Sequence, residues 1–214
     1  MFKSLGKIFG SLMTSPVELH ASETCPECGS RLARDAFPDG SPGVSLHQPS
    51  DWHCPNPDCP PQVLKRVALW ASPEAMDIAG CDEAMAAQLV TKGLVRDAAD
   101  YYRLKVAEIA ALDGMNKDAA QKIFDSITAS MKRAAWRVLF GLGIPNIGAT
   151  EAQTLCKYFT TLDALFATGK ERLMKLDGIT GIMAHSLTHW YGDPVNRKLV
   201  LRLEKIGVNF KCKQ

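Results

Sequence analysis

Ile78-Ala79-Gly80-Cys81-Asp82, Leu112-Asp113-Gly114-Met115-Asn116, Ile144-Pro145-Asn146-Ile147-Gly148 and Leu176-Asp177-Gly178-Ile179-Thr180 align without gaps. Four residues after each stretch comes an alanine (Ala86, Ala120, Ala152, Ala184). Three residues further on comes an apolar residue (Leu89, Ile123, Leu155, Leu187). The third positions lie 34, 32 and 32 residues apart, a period that marks a repeated supersecondary unit. Gly or Asn at the third position tolerates the left-handed backbone that a tight turn between helices needs. Asp82, Asn116 and Thr180 at the fifth position are capable helix N-caps. The small alanine lets two helices approach closely, and the later apolar residue falls on the packing face. Each unit therefore reads as helix, hairpin, helix, near residues 70–95, 104–129, 136–159 and 170–190, with a C-terminal helix after them. One unit cannot bury its own apolar face, so the first should pack with the second and the third with the fourth.

Such a turn exposes backbone N–H groups at a helix N-terminus, where the helix dipole also favours an anion. A phosphate held there is gripped without its base being read. The first hairpin places Asp82 and Glu83 where the anion would sit and reads as scaffold. The candidate DNA contacts are Gly114, Asn116 and Lys117 in the second hairpin, Asn146, Gly148 and Thr150 in the third, and Gly178, Thr180 and Gly181 in the fourth. Lys122, Lys132 and Arg133, with Arg137, form a candidate basic stripe between the second and third units; ordinary solvated helix faces are the alternative.

Cysteines supply the second signal. Cys25-Pro26-Glu27-Cys28-Gly29 and Cys54-Pro55-Asn56-Pro57-Asp58-Cys59 are two short-spaced thiol pairs on turns stiffened by proline and glycine. Four thiolates complete a tetrahedral zinc site and leave no position for water, so one structural Zn2+ is expected on Cys25, Cys28, Cys54 and Cys59. His47 and His53 are the competing ligands. Cys81, Cys156 and Cys212 lack a partner at short spacing and read as structural or incidental. Loop chemistry fills 35–51, including Pro38-Asp39-Gly40-Ser41-Pro42-Gly43.

Charge is unevenly spread. Residues 1–114 hold 10 Lys+Arg against 15 Asp+Glu, a net of −5, whereas 115–214 hold 15 against 8, a net of +7. That asymmetry suits a polyanion partner in the second half. No apolar run is long enough to span a bilayer, so no integral membrane association is expected. Around 1–13, Phe2, Leu5, Ile8, Phe9 and Leu12 approach helical spacing with Lys3 and Lys7 between them. This amphipathic lead-in is interrupted too early for a secretory signal, and a linker follows to residue 24. A reducing cytoplasm, in association with the nucleoid, is the expected location. The organisation expected is thus mainly α: the N-terminal segment at 1–24, a small zinc finger at 25–69, and a compact all-α helix–hairpin–helix domain at 70–214.

Taken in order, Cys25-Pro-Glu-Cys-Gly-Ser, Cys54-Pro-Asn-Pro-Asp-Cys-Pro, Ala75-Met-Asp-Ile, Leu139-Phe-Gly-Leu-Gly-Ile-Pro and Gly207-Val-Asn-Phe resemble the C-terminal part of bacterial NAD-dependent DNA ligases. The resemblance implies a zinc finger and a helix–hairpin–helix domain that help encircle nicked double-stranded DNA. It also implies that the adenylation, oligonucleotide-binding and BRCT domains fall outside these residues. No catalytic residue and no NAD site are then expected in this chain. Lys175-Leu176-Asp177-Gly178 matches the K-x-D-G signature of an adenylated lysine, but its register makes it the fourth hairpin. His185 and His189, at i and i+4, read as a structural pair. The expectation is a non-catalytic DNA-binding module of repair or replication, working beside a ligase catalytic domain or repair protein. The alternatives are the non-catalytic half of a split ligase and a zinc-containing protein-interaction adaptor.

Overall fold

All four repeated stretches close the same turn. In a computed structural model, which describes residues 24–34 and 52–212, the third residue of each is left-handed: φ is +82° at Gly80, +77° at Gly114, +61° at Asn146 and +79° at Gly178. The fourth residue donates its N–H to the carbonyl of the first at 3.1 Å in every copy, from Cys81, Met115, Ile147 and Ile179. The fifth residue is the N-cap of the helix that follows. Its carbonyl accepts from the N–H of the repeated alanine at 2.9–3.0 Å. Those four alanines are almost fully buried, which is why no larger side chain stands there.

The chain divides into two compact units, Met1–Asn56 and Pro57–Gln214. In the first, Thr24 and Arg31 form an antiparallel bridge. Strand β1 (Ala33–Arg34) pairs antiparallel with β2 (Trp52–His53), Ala33 opposite His53. The N-terminal amphipathic segment, the loop at 35–51 and His47 lie outside the described residues.

The second unit is helical. Its order is α1 (Pro60–Ala71), α2 (Glu83–Thr91), a 3-10 helix (Ala98–Arg103), α3 (Val106–Ala110), α4 (Lys117–Ser130), α5 (Ala135–Gly141) and α6 (Ala149–Tyr158). Then follow α7 (Leu162–Phe166), α8 (Lys170–Leu173), α9 (Gly181–Gly192) and α10 (Pro194–Ile206). Two prolines open α1, where their missing N–H groups cost nothing. It ends at Ser72 because Pro73 drives the preceding residue to extended backbone, ψ 155°. The hairpin partners α1/α2, α3/α4, α5/α6 and α8/α9 each pack together.

The hairpins pair first with second and third with fourth, each turn lying on the other's second helix. A Cβ on Gly80 would sit 2.9 Å from Ile123 of α4. Ala79 N–H donates to Ser126 Oγ of α4 at 2.7 Å, and Asp113 N–H donates to Gln88 Oε1 of α2 at 2.8 Å. In the other pair, Asn146 Nδ2 donates to Ser186 Oγ of α9 at 2.9 Å, and Tyr158 of α6 donates to the Asp177 carbonyl at 3.0 Å. The 3-10 helix ties α1 to α4. Tyr101 donates to the Val67 carbonyl at 3.1 Å. Tyr102 accepts from Trp70 Nε1 at 3.3 Å and lies 3.1 Å from Ser130 Oγ. Among the described residues no buried side-chain nitrogen or oxygen is left without a partner.

Candidate nucleic-acid interface and cysteine cluster

The first knuckle follows from its glycine. Gly29, at φ +70°, lets its own N–H reach the Cys25 carbonyl and lets Cys25 N–H reach the Ser30 carbonyl, both at 2.8 Å. Cys59 is the N-cap of α1, its carbonyl accepting from Gln62 and Val63. Arg66 braces that knuckle by donating to the Pro57 carbonyl at 2.7 Å. The sulfurs of Cys25, Cys28, Cys54 and Cys59 all lie within 4.8 Å of one another, with Cys28 and Cys54 3.5 Å apart. Four ligands at about 2.3 Å from a tetrahedral ion stand about 3.8 Å apart, so this donor set fits a metal ion such as the expected zinc. Hydrogen bonding with Ser30, through its side chain and then its backbone, holds the Cys28 thiol down to about 6, with Asn56 and Cys54 adding to it. A thiol so lowered is ready to bind metal as thiolate. His53 is exposed in β2 and outside the cluster.

The hairpin residues are presented as the repeat requires. Gly114, Asn116, Lys117, Asn146, Thr150, Gly178, Thr180 and Gly181 are exposed, and Gly148 is half-buried. Their side chains do less than their backbones. Asn116 Oδ1 caps Ala119 N–H at 2.8 Å and Thr180 Oγ1 caps Met183 N–H at 3.2 Å, while Asn146 is spent on Ser186. Gly148 offers no side-chain cap, and Glu151 fills the gap: its carboxylate lies 2.6 Å from where a Cβ on Gly148 would be. An anion at the third hairpin would therefore meet a carboxylate. First-turn acids also stand on α2 (Glu83) and α4 (Asp118). Helix α9 has none in its first turn, although Asp177 is exposed in the fourth turn itself.

The basic stripe separates into two kinds of residue. Lys122 and Lys132 are exposed, and among the described residues neither makes an ion pair; the same holds for Lys117. Arg133 instead pairs with Asp77, and Arg137 Nη1 donates to the carbonyls of Pro73 and Ala75, both at 2.8 Å. These two arginines clamp the long connection after α1. A second basic group went unnoticed in the sequence: Lys170, Arg172 and Lys175, exposed on and just after α8 beside the fourth turn. Its signal was the string Lys170-Glu171-Arg172-Leu173-Met174-Lys175 directly before the hairpin. Lys175-Leu176-Asp177-Gly178 is the turn itself, with Gly178 left-handed. His185 and His189 face each other on α9 with ring centroids 5.7 Å apart. Neither belongs to a metal-capable cluster among the described residues.

Fold and site together define a mainly helical protein with helix–hairpin–helix repeats and a four-cysteine, metal-capable cluster. A family model for the helix–hairpin–helix motif matches residues 137–200, the stretch holding the third and fourth turns. The chain is 37% identical over 193 residues to a DNA ligase of Rubrobacter xylanophilus, covering 90% of this chain and 27% of that protein. It is 37% identical over 193 residues to a DNA ligase of Methylacidiphilum infernorum, covering 90% and 26%. A DNA ligase of Synechococcus sp. is 37% identical over 184 residues, covering 86% and 26%. The chain thus spans about a quarter of the length of these relatives. The likeness fits the C-terminal region that the cysteine and hairpin motifs imply. No helix among the described residues is long and apolar enough to cross a membrane.

Proposed function

We propose that this chain is a non-catalytic module that grips double-stranded or nicked DNA, serving repair or replication in the cytoplasm at the nucleoid. The observation that carries the reading is the fourfold recurrence of one turn, left-handed at its third residue and closed by the same 3.1 Å hydrogen bond. Each copy aims a helix N-terminus outward, the arrangement that holds a phosphate. The second to fourth hairpins supply the grip through Gly114, Asn116, Lys117, Asn146, Gly148, Thr150, Gly178, Thr180 and Gly181. Lys122 and Lys132 add charge, and Arg133 contributes what its pairing with Asp77 leaves over. One structural zinc sits on Cys25, Cys28, Cys54 and Cys59 and orders the knuckles; it takes no part in chemistry and no NAD is bound. The domain limits we propose are 25–69 for the finger and 70–214 for the hairpin domain, with α1 running across the limit into the helical unit.

Titration of a nicked duplex across salt concentrations tests the grip. With two or three hairpins each touching one or two phosphates, log K against log salt should slope by roughly −2 to −5. Absence of binding at low salt rejects the proposal. The quarter-length match to DNA ligases favours a second reading, the non-catalytic part of a split or longer ligase. Restored nick sealing when a separately made ligase catalytic half is added would support it.

A further inference from the structure

Two of the cysteines that the spacing left unpaired meet in the fold. Cys156 is buried on α6, and Cys212 is half-buried near the C-terminus. Their sulfurs lie 3.1 Å apart. Backbone pairing sets this register: Thr161 bridges Lys211, Leu162 N–H donates to the Phe210 carbonyl at 3.0 Å, and Cys212 N–H donates to the Thr160 carbonyl at 2.9 Å. The sulfurs therefore face one another because the C-terminal segment is pinned beside the end of α6. Closing to the ~2.05 Å of a disulfide asks a movement of about 1 Å.

The two thiols are chemically unequal. Hydrogen bonding to Cys156 lowers the Cys212 thiol, against burial and the nearby Asp163 carboxylate. The Cys156 thiol is pushed far up by that same contact and by burial. Cys212 is thus the accessible, readier thiolate, with Cys156 behind it as a resolving thiol. Cys81 provides the contrast. It is buried against Tyr101 Oη at 3.4 Å, its thiol pushed up to about 11, with no sulfur partner among the described residues.

We propose that Cys156 and Cys212 form a redox-responsive dithiol that a low-molecular-weight disulfide of the glutathione class oxidises to an intramolecular crosslink. Cys212 thiolate attacks one sulfur of the oxidant, whose S–S bond breaks and releases one glutathione, which takes up a proton. Cys156 then gives up its proton and attacks Cys212 Sγ. The mixed disulfide breaks, and the second glutathione leaves as a thiol. Two protein thiols lose two electrons and two protons, and the oxidant becomes two thiols. The closed loop encloses the fourth hairpin and α10 and ties them to α6 of the third, which restricts the unfolded chain.

The test is to equilibrate the full zinc-saturated chain in glutathione buffers of rising oxidised fraction, quench with acid and map peptides without reduction. A Cys156–Cys212 peptide should dominate in excess oxidised glutathione, and the melting temperature should rise by on the order of 10 °C. Dithiothreitol should reverse both changes. Cys156→Ser should instead stop at a glutathione mixed disulfide on Cys212, and Cys212→Ser should give neither product. The proposal is overturned if the unaltered chain accumulates only the mixed disulfide. It is equally overturned if crosslinks from Cys156 or Cys212 to Cys81 or the cluster cysteines form as readily.

Discussion

Gly80 and Gly114 occupy the same place in the repeat and have the same left-handed backbone, yet they stand in different surroundings. A Cβ at Gly114 would meet nothing within 4 Å, whereas one at Gly80 would come within 2.9 Å of Ile123. Gly114→Ala should therefore cost only the left-handed strain, about 1 kcal/mol. Gly80→Ala adds overpacking and should cost about 2–4 kcal/mol in all. Urea unfolding of both variants checks this, and equal losses would show that the pairing of turn one on α4 is wrong. Cys81 makes a pH prediction at the same scale. Its thiol is pushed up to about 11 by burial, then by the Asp82 charge, with the Tyr101 hydrogen bond opposing, from an ordinary 9.0. The unfolded thiol ionises first as pH rises, so this contribution is complete below pH 9 and is lost as pH climbs toward 11. The loss should reach about 2–3 kcal/mol. Tyr101, raised likewise by burial, acts in the same direction at higher pH. Cys81→Ala should flatten the slope between pH 9 and 11 in urea midpoints, and an unchanged slope would refute the assignment.

Among the elements, α10 has the least guessable role. Its buried face, Val200 and Leu203, is an ordinary amphipathic stripe. Its partner is not local. Arg202 forks to Asp97 Oδ2 at 2.6 Å and Asp100 Oδ1 at 2.7 Å, the N-cap and a first-turn residue of the 3-10 helix, about a hundred residues away in sequence. The three side chains are 20–31% exposed, so water screens part of the attraction. Arg202→Ala should cost about 1–2 kcal/mol. Arg202→Lys should recover less than half of that, because an ammonium cannot fork. Thermal melts of the two variants decide it; full recovery by lysine would mean that charge alone matters. The short helix α8 carries the opposite lesson: its position follows from the repeat at 170–190, but its basic edge does not, and α7 lies between the repeats where the spacing says nothing.

At the scale of the whole molecule, charge is sorted by which cations the fold already uses. Arg133, Arg137 and Arg202 are bound to internal partners, while Lys170, Arg172 and Lys175 stand exposed beside the one hairpin whose second helix has no acid in its first turn. Reversing those three to glutamate should weaken nicked-duplex binding at least tenfold and make the salt slope shallower by about 1–3. Melting temperature should be nearly unaffected. Reversing Lys117, Lys122 and Lys132 should have a smaller effect, since α4, on or just after which those lysines lie, carries Asp118 in its first turn whereas α9 carries no acid there. Equal loss from both sets would spread the grip over both pairs.

Much of this was written locally. The four turns, their register, the helices after them and the two cysteine knuckles depend on residue types at fixed short spacings. A left-handed residue, a cap, a small helix-contact alanine and a paired thiol each act within a few residues of chain, so sequence alone determines them. Which groups remain available is decided at long range. Tertiary packing spent Asn146 on Ser186, Arg133 on Asp77 and Arg137 on the loop after α1. It also set Cys156 against Cys212 across 56 residues. A hydrogen bond or ion pair between distant segments leaves no periodic trace in a sequence, because either partner alone is an ordinary polar residue.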